Sequence, residues 1–459
     1  MISKLRKKYL KFTYQDYTWH TKKDYFQASF SFKIGPDISF NPKIKILGIN
    51  AFKIEKEVLD NLVFNLGLIE MLSYWKSTCS PIIEIEAGRL NKEQIKWWKE
   101  LIIDGMGEFF YKNKINWKKN SFLKIEINKD KKLFKPFSGK LKNKTLIPIG
   151  GGKDSIVTLE ILKNKKDISC FSLNPNKTIK RIIKVGECKD FITAERKISS
   201  KLLELNRKGF LNGHTPFSAY LAFLNVLIAT ISNKKYIALS NERSSDEGNL
   251  NYLGKEINHQ YSKSFDFEEK FRKYSKKYLT KDVEYFSFLR PLYEIQIGKL
   301  FSKYFDKYGN VFLSCNEAYK TKSCTIKKTG KWCNKCPKCL FVFTILYPFI
   351  ETKKLIKAFG ENLFEKKELI GLMKELIGEG NFKPFECVGT TKESLIAIYL
   401  CWKKEKLYLI TKYFEKNILS KYKDLEKQSI KMMGSWNSQN KLSNSFIKIL
   451  KNENKRFKK

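Results

Sequence analysis

The run Gly150-Gly151-Gly152-Lys153-Asp154-Ser155 stands between a short apolar stretch, Leu146–Ile149, and a helix-like one, Ile156–Glu160. Strand, glycine turn and helix in that order bind anions. Successive glycines let the backbone approach a ligand closely, their N–H groups can form a nest, and the helix start adds the positive end of its dipole. Lys153 offers a charge and Ser155 a hydroxyl at the same place. The Gly-x4-Gly-Lys-Ser/Thr spacing of a Walker A loop is absent. A second polar run begins at Ser240-Asn241-Glu242-Arg243, directly after a strand-like stretch. Ligands in open α/β sheets gather beyond the carboxyl ends of strands. Glu242 is therefore placed for Mg²⁺ or a proton, and Arg243 for a carboxylate or phosphate. His214 and His259 both lie in polar surroundings, with Tyr261 and Lys263 just after His259. These four are candidates for proton transfer.

Cys333, Cys336 and Cys339 form a Cys-x2-Cys-x2-Cys run, with Cys324 upstream. Four thiolates at such spacing suit tetrahedral Zn²⁺, in a closed site that clamps structure and does no chemistry. Cys315 is a rival for the upstream place, and an iron–sulfur cluster is the alternative metal group. Cys79, Cys170, Cys188, Cys387 and Cys401 are scattered, and no disulfides are expected of a cytoplasmic protein.

These residues need elements to position them. Residues 1–140 mix strand-like runs (Tyr25–Ile34, Ile44–Ile49, Ile82–Glu86, Leu123–Ile127) with helical ones (Glu55–Trp75, Asn91–Tyr111), which reads as an α+β domain. From Thr145, buried strands (Leu146–Ile149, Ile168–Leu173, Tyr236–Ser240, Val311–Cys315) alternate with helices (Ser155–Lys163, Pro216–Ile231, Ile295–Tyr308). That alternation predicts an α/β parallel sheet with crossover helices across residues 141–350. Residues 351–459 read as a smaller, mostly helical domain, whose polar tail after Trp436 is expected to fray.

A net charge of +42 invites nucleic acid as a partner. The cations are nearly all Lys and are spread along the whole chain, so a solvated surface is the expectation and nucleic acid is not. No apolar run reaches the roughly 18 residues of a membrane span. The apolar run Ala219–Ile231 is short and broken by Asn225, and Leu340–Ile350 is interrupted by Pro348. The basic N-terminus lacks the apolar segment of a secretion signal, and a cytoplasmic enzyme is expected.

The glycine loop resembles the Ser-Gly-Gly-x-Asp-Ser signature of PP-loop ATP pyrophosphatases, with Gly150 in place of the first Ser. The cysteine spacing is similar to the zinc site of the deazaguanine synthases, which are also PP-loop enzymes. More of the chain resembles one family, the UDP-N-acetyl-α-D-muramoyl-L-alanyl-L-glutamate epimerases. The resemblance rests on Gly67–Met71 with Ser73–Pro81, Gly105–Tyr111, Pro148–Ser155, Asn212–His214, Ser240–Arg243, Asn258–Ser264, Trp332–Cys339 and Glu386–Glu393. It implies a PP-loop core of adenine nucleotide α-hydrolase type, ATP and Mg²⁺ as requirements, and inversion of the terminal L-Glu of a UDP-muramoyl dipeptide. Adenylation of the carboxylate would remove its charge and make the α-hydrogen acidic, with release of AMP and pyrophosphate. Gly150 to Ser155 and Arg243 would hold ATP. The proton-transfer group would come from His214, His259, Tyr261, Lys263 or Cys79, with His259 foremost. Two other classes remain open, a tRNA-modifying PP-loop enzyme and a non-catalytic nucleotide-binding protein.

Overall fold

The first strands follow from alternation. β1 (Lys11–Lys22) and β2 (Tyr25–Ile34) form a long antiparallel hairpin. β2 buries Phe26, Ala28, Phe30, Phe32 and Ile34 and leaves the residues between them half-exposed, the period of two that a strand imposes. β3 (Ile38–Phe40) and β4 (Lys43–Leu47) both pair with β2, while β5 (Ile82–Ile85) and β6 (Lys124–Ile127) extend the sheet in parallel from β1. The computed structural model describes residues 2–49, 54–119, 121–319 and 330–455.

The second half of the sheet is parallel throughout. β7 (Lys142–Pro148) is flanked by β8 (Ile168–Leu173) and β10 (Lys234–Leu239); β9 (Phe191–Lys197) adds beyond β8. A small hairpin of β11 (Leu250–Tyr252) and β12 (Lys255–Ile257) stands apart, and β13 (Glu284–Ser287) closes the edge beside β10. The halves are one sheet, in the order β13-β10-β7-β8-β9-β4-β2-β1-β5-β6. Its seam is the antiparallel pairing of β4 with β9, so backbone pairing runs straight through the boundary expected near residue 140. Arg196 on β9 reinforces the seam: its Nε and Nη2 donate to Glu70 at 2.7 and 2.9 Å, a bidentate pair across the two halves.

The fold is thus mixed α/β with a mainly parallel sheet and a helical C-terminal region. The helix Phe217–Ile231 is apolar on almost every face because almost every face is buried. Among the described residues no helix is long and apolar enough to cross a membrane. The C-terminal helices include Thr352–Phe359, Thr391–Lys404, Leu409–Asn417 and Leu425–Met433. Thr391–Lys404 opens on a capping box between Thr390 and Glu393.

Three expectations fail. Val311–Cys315 is not a strand: Leu313 N–H donates to the Gly151 carbonyl at 2.9 Å, so the segment braces the glycine loop, and β13 takes the sheet edge. Cys170 on β8 and Cys188, just past the helix Lys177–Gly186, come within 6.4 Å Cα to Cα and form a disulfide, where free thiols were expected. The tail does not fray: it folds back as the helix Asn444–Lys455. Its Phe446 is fully buried against Phe286, Tyr236 and Phe288, with ring centroids 4.7, 5.4 and 6.1 Å away. Phe446→Ala should therefore cost roughly 3–5 kcal/mol, read as a clear fall in the thermal unfolding midpoint. An unchanged midpoint would mean that the tail carries no stability.

Candidate active site

The glycine loop and the Glu242 loop lie directly beyond the carboxyl ends of the parallel strands β7 and β10. The glycine loop leaves β7 and enters the helix Lys153–Leu162, with Gly152 as its N-cap. Gly151 has a φ of +94°, a conformation that favours glycine, and a side chain at Gly152 would collide with Ser314. Ser155 Oγ donates to the Gly152 carbonyl at 2.9 Å. Gly150, Gly152, Asp154 and Ser155 line a cavity of roughly 290 Å³ together with Asn225, Glu242, Lys263, Lys338 and Cys387. A second cavity of roughly 610 Å³ shares Pro148, Gly150 and Leu221 with it and runs over β8 and β9 between Phe171, Leu173, Ile179 and Arg196.

Lys153 does not face either cavity. Its side chain is 0% exposed and pairs inward with Asp154 and Glu294. Burial opposes its charge, but Asp154 and Glu294 more than compensate and raise its pKa. A helix residue at this position points back into the packed interface with the helix Glu294–Ser302, so Lys153 acts on the loop from behind. The cations that do reach the cavity are Lys263 and Lys338. Lys338 lies 3.5 Å from Glu294. Glu294 is held ionised against burial by Lys153 and Lys338, whereas burial and Glu294 raise the pKa of Glu242.

A chain of proton-carrying groups enters the cavity from the other side. Lys263 Nζ donates to Cys387 Sγ at 3.2 Å. His259 lies near the same thiol and favours its thiolate form, and its Nδ1 hydrogen-bonds Glu108. Burial alone would push the Cys387 thiol up, but Lys263 and His259 bring it down to about 5. Burial would likewise discharge His259, but Cys387 and Glu108 raise it to about 9. His214 packs 4.5 Å from His259, centroid to centroid, and burial together with the His259 charge lowers it to about 3. The arrangement can hold a thiolate beside an imidazolium and an ammonium at neutral pH.

The loop that carries Cys387 is fixed by side chains from two loops and a short helix. Asn249 donates to the Pro384 carbonyl at 2.7 Å, Gln260 to the Val388 carbonyl at 3.1 Å, and Asn316 to Glu386. Arg290, 0% exposed, fixes the loops that carry Glu242 and Lys263. Its Nη1 donates to the Glu242 carbonyl at 2.7 Å and to Ser245 Oγ at 2.9 Å, its Nη2 to the Lys263 carbonyl, and Glu268 balances its charge at 3.2 Å. Asn225 is also 0% exposed and lines the cavity, yet neither amide atom has a hydrogen-bond partner. A buried orphan of this kind calls for a ligand group or water.

A matching family profile, the MurL N-terminal domain, covers residues 3–288, and a second, the MurL C-terminal domain, covers residues 311–428. The chain belongs to the MurL family. Its relatives include the UDP-N-acetyl-alpha-D-muramoyl-L-alanyl-L-glutamate epimerases of Xanthomonas oryzae pv. oryzae (32% identical, covering 72% of each chain), of Micromonospora sp. (38%, 56% of each) and of Salinispora tropica (37%, 56% of this chain and 55% of that one). No solved structure matches. As a MurL-family member with these relatives, the chain is an enzyme that catalyses epimerisation.

Of the residues singled out from this MurL sequence, the structure brings together Gly150, Gly152, Asp154, Ser155, Glu242, Lys263, His259 and His214, the last two behind Cys387. Gly151 shapes the loop without lining the cavity. Arg243 lies over the Tyr293 ring, 4.4 Å from its centroid, outside the cavity, because the 3-10 turn Arg243–Asp246 swings it away. Tyr261 is also outside, its hydroxyl donating to Asp266 at 3.0 Å. Cys79 is buried with Arg6, whose guanidinium donates to its carbonyl and lies 3.6 Å from its sulfur, and burial raises its thiol pKa to about 12. Sequence reasoning missed Cys387, Glu108, Glu294, Lys338 and Arg290. Cys387, Glu108 and Lys338 stand inside stretches that carry the family resemblance, which was the available signal.

Cys315, Cys333, Cys336 and Cys339 converge with all four sulfurs within 4.8 Å. Cys336 and Cys339 are 3.4 Å apart and Cys333 and Cys339 3.7 Å, near the edge of about 3.8 Å expected for a tetrahedron of zinc–sulfur bonds. Cys324 lies outside the described residues. The rival upstream ligand, Cys315, is the one seen beside the trio. Cys336 caps the helix Pro337–Leu346, so the cluster also anchors Lys338 at the cavity wall.

Arg290 generates the first test of the site. Arg290→Met leaves Glu268 buried without its partner and frees three acceptors, at a cost of roughly 3–5 kcal/mol. Glu268→Gln should be milder, because the carbonyl bonds survive. Equal stability of wild type and Arg290→Met in chemical denaturation would contradict the clamp.

Proposed function

We propose that the protein activates the terminal L-Glu carboxylate of UDP-N-acetyl-α-D-muramoyl-L-alanyl-L-glutamate with ATP and inverts its α-carbon to D-Glu, a step in making peptidoglycan precursor. The observation that carries this reading is one cavity with two chemistries: an anion-binding glycine loop at one end and, at the other, a thiol paired with an ammonium and backed by an imidazole. The named activity of the relatives supplies the substrate. A soluble location in the cytoplasm, where such nucleotide-linked precursors are made, accords with the proposal.

The loop N–H groups and the start of the helix Lys153–Leu162 would cradle the phosphates of ATP, with Asp154 and Glu242 facing the cavity to hold Mg²⁺. The larger cavity, with its apolar walls Ile149, Phe171, Leu173 and Ile179, suits the adenine and ribose. The substrate carboxylate oxygen attacks the α-phosphorus; that O–P bond forms, the bond to the β-phosphate bridge breaks, and pyrophosphate leaves. The anion becomes a neutral acyl adenylate, so loss of the α-proton no longer creates a dianion. Lys263 and Lys338 then face the charge that develops on the acyl oxygen, and the unpartnered amide of Asn225 is the polar group free to orient it. After inversion, water releases AMP and the D-product. A PP-loop ATP pyrophosphatase-type cleavage is what this scheme needs.

With L-substrate present, the expected products are AMP and pyrophosphate in step with turnover. ADP and phosphate as main products would overturn the reading. Asp154→Asn should lower AMP formation by about 100-fold or more, well beyond what loss of the Lys153 ion pair takes from the unfolding midpoint. Equal losses in both would make the loop a structural turn.

We also propose that Cys315, Cys333, Cys336 and Cys339 hold one structural Zn²⁺. Metal analysis should give about one zinc per chain. Cys315→Ser should lose it and destabilise the protein, since metal binding contributes folding free energy, while Cys324→Ser should keep it. The reverse pattern would restore Cys324 as the ligand, and iron with labile sulfide would replace zinc by a cluster.

A further inference from the structure

We propose that Cys387, as a thiolate held by His259 and Lys263, is the base that removes the glutamyl α-proton. The inference rests on the epimerase reading above and adds the group that does the stereochemical work. Cys387 stands on the cavity wall shared with Gly150, Asp154 and Ser155, so its sulfur faces the space where an activated carboxyl group would lie. The other described cysteines are elsewhere: Cys79 and Cys401 are buried in the packed interior, Cys170 and Cys188 are paired with each other, and the remaining four form the metal-like cluster. Cys387 is also only partly buried, as a base that must meet substrate has to be.

The surroundings stabilise its charge from several elements. Lys263, from the turn before the helix Phe265–Tyr278, donates to the sulfur at 3.2 Å. His259 and, from the helix Pro337–Leu346, Lys338 add positive charge that favours the thiolate. Glu108, on the helix Gly107–Lys112, fixes the His259 ring from behind and balances its charge. Glu242 and Asp154 act on Lys263 in turn. Glu108 and His259 are positioning residues, and a thiolate with an imidazolium beside it is the form this set favours. Asp154 and Glu242, the carboxylates on the same wall, lie at the phosphate end.

The step balances. The α-carbon–hydrogen bond breaks and an S–H bond forms on Cys387. The electron pair moves into the enolate of the acyl adenylate. A proton that comes from solvent is delivered to the other face and restores the carbon–hydrogen bond with inverted configuration. Cys387 then returns its proton to solvent through His259. The pair titrates as a unit: the working form should be gained as pH rises through about 5 and lost as it rises through about 9, giving a bell-shaped profile of kcat/KM.

The experiment measures two outputs of one reaction in D₂O with ATP, Mg²⁺ and the L-substrate: AMP formed and deuterium at the glutamyl α-carbon. Cys387→Ala should retain AMP formation within about 10-fold of wild type and lose deuterium incorporation by about 100-fold or more. Deuterium incorporation that survives in the variant, or equal loss of both outputs in a folded variant, overturns the proposal. If wild type incorporates deuterium without forming AMP and the variant does not incorporate it, the adenylation reading fails and Cys387 stands as the base. A second measurement uses the intact wild-type chain: iodoacetamide alkylation mapped by mass spectrometry against pH. Cys387 should react first, with an apparent pKa well below that of an ordinary thiol, and His259→Ala and Glu108→Gln should move that pKa upward. An ordinary thiol pKa at Cys387, or one that neither variant moves, overturns it even if Cys387→Ala fails to fold.

Discussion

The site depends on one fully buried guanidinium. Arg290 sits beneath the carboxyl ends of β10 and β13 and gathers the Glu242 carbonyl, Ser245 Oγ and the Lys263 carbonyl onto one rigid fork, with Glu268 as counter-ion. Glu242 and Lys263 belong to different loops, and Arg290 fixes their spacing together with Ser245 Oγ, which donates to the Lys263 carbonyl at 3.0 Å, and Asn258, which donates to the Ser245 carbonyl at 2.9 Å. A planar cation with several donors does so in a way that a lysine in that place could not. Because such a charge is costly to bury unpaired, the loops are held together whenever the protein is folded. The same logic recurs above it: buried Lys153, Lys338 and Glu294 form an alternating set with the half-buried Asp154, so the floor beneath the cavity carries charges that cannot easily rearrange.

On that floor the rest of the chain assembles a composite site. β7 supplies the glycine loop, β10 leads to Glu242, the segment after β12 supplies His259 and Lys263, and the helix Gly107–Lys112 supplies Glu108 from the other half of the sheet. The C-terminal region contributes Cys387 on a loop docked by Asn249, Gln260 and Asn316. The single sheet running through the β4–β9 seam is what allows Glu108 and the glycine loop to share one site. On the proposed reading, activation and proton transfer would occur in adjoining space, with no need for an activated intermediate to travel through water.

What was legible in the sequence was what local spacing encodes. The glycine loop between strand and helix stands where expected, and the helix Lys153–Leu162 differs from the expected Ser155–Lys163 by little. Ile168–Leu173 and Tyr25–Ile34 are strands with the expected bounds, because alternation and apolar runs are short-range signals. The direction of a side chain at a helix start is not such a signal, and Lys153 faces inward for that reason. Cys387 read as one of several scattered cysteines because its partners Lys263, His259 and Glu108 are distant in the chain and meet only through the docked loop. Asn225 read as an interruption in an apolar run, and it became meaningful once its amide was seen unpartnered in the cavity. The tail after Trp436 read as polar because its one short apolar run, Phe446–Leu450, stands among polar and charged residues, yet Phe446 and Leu450 are fully buried.

We propose that ATP-driven activation and inversion at the glutamyl α-carbon take place in this one cavity. The most direct test is chiral analysis of the glutamate released by acid hydrolysis after purified protein has acted on UDP-N-acetyl-α-D-muramoyl-L-alanyl-L-glutamate with Mg²⁺, with and without ATP. D-Glu should appear with ATP and stay at background without it or with an analogue that cannot be cleaved between the α- and β-phosphates. D-Glu formed equally without cleavable ATP would contradict the account, as would glutamate that stays L when ATP is consumed.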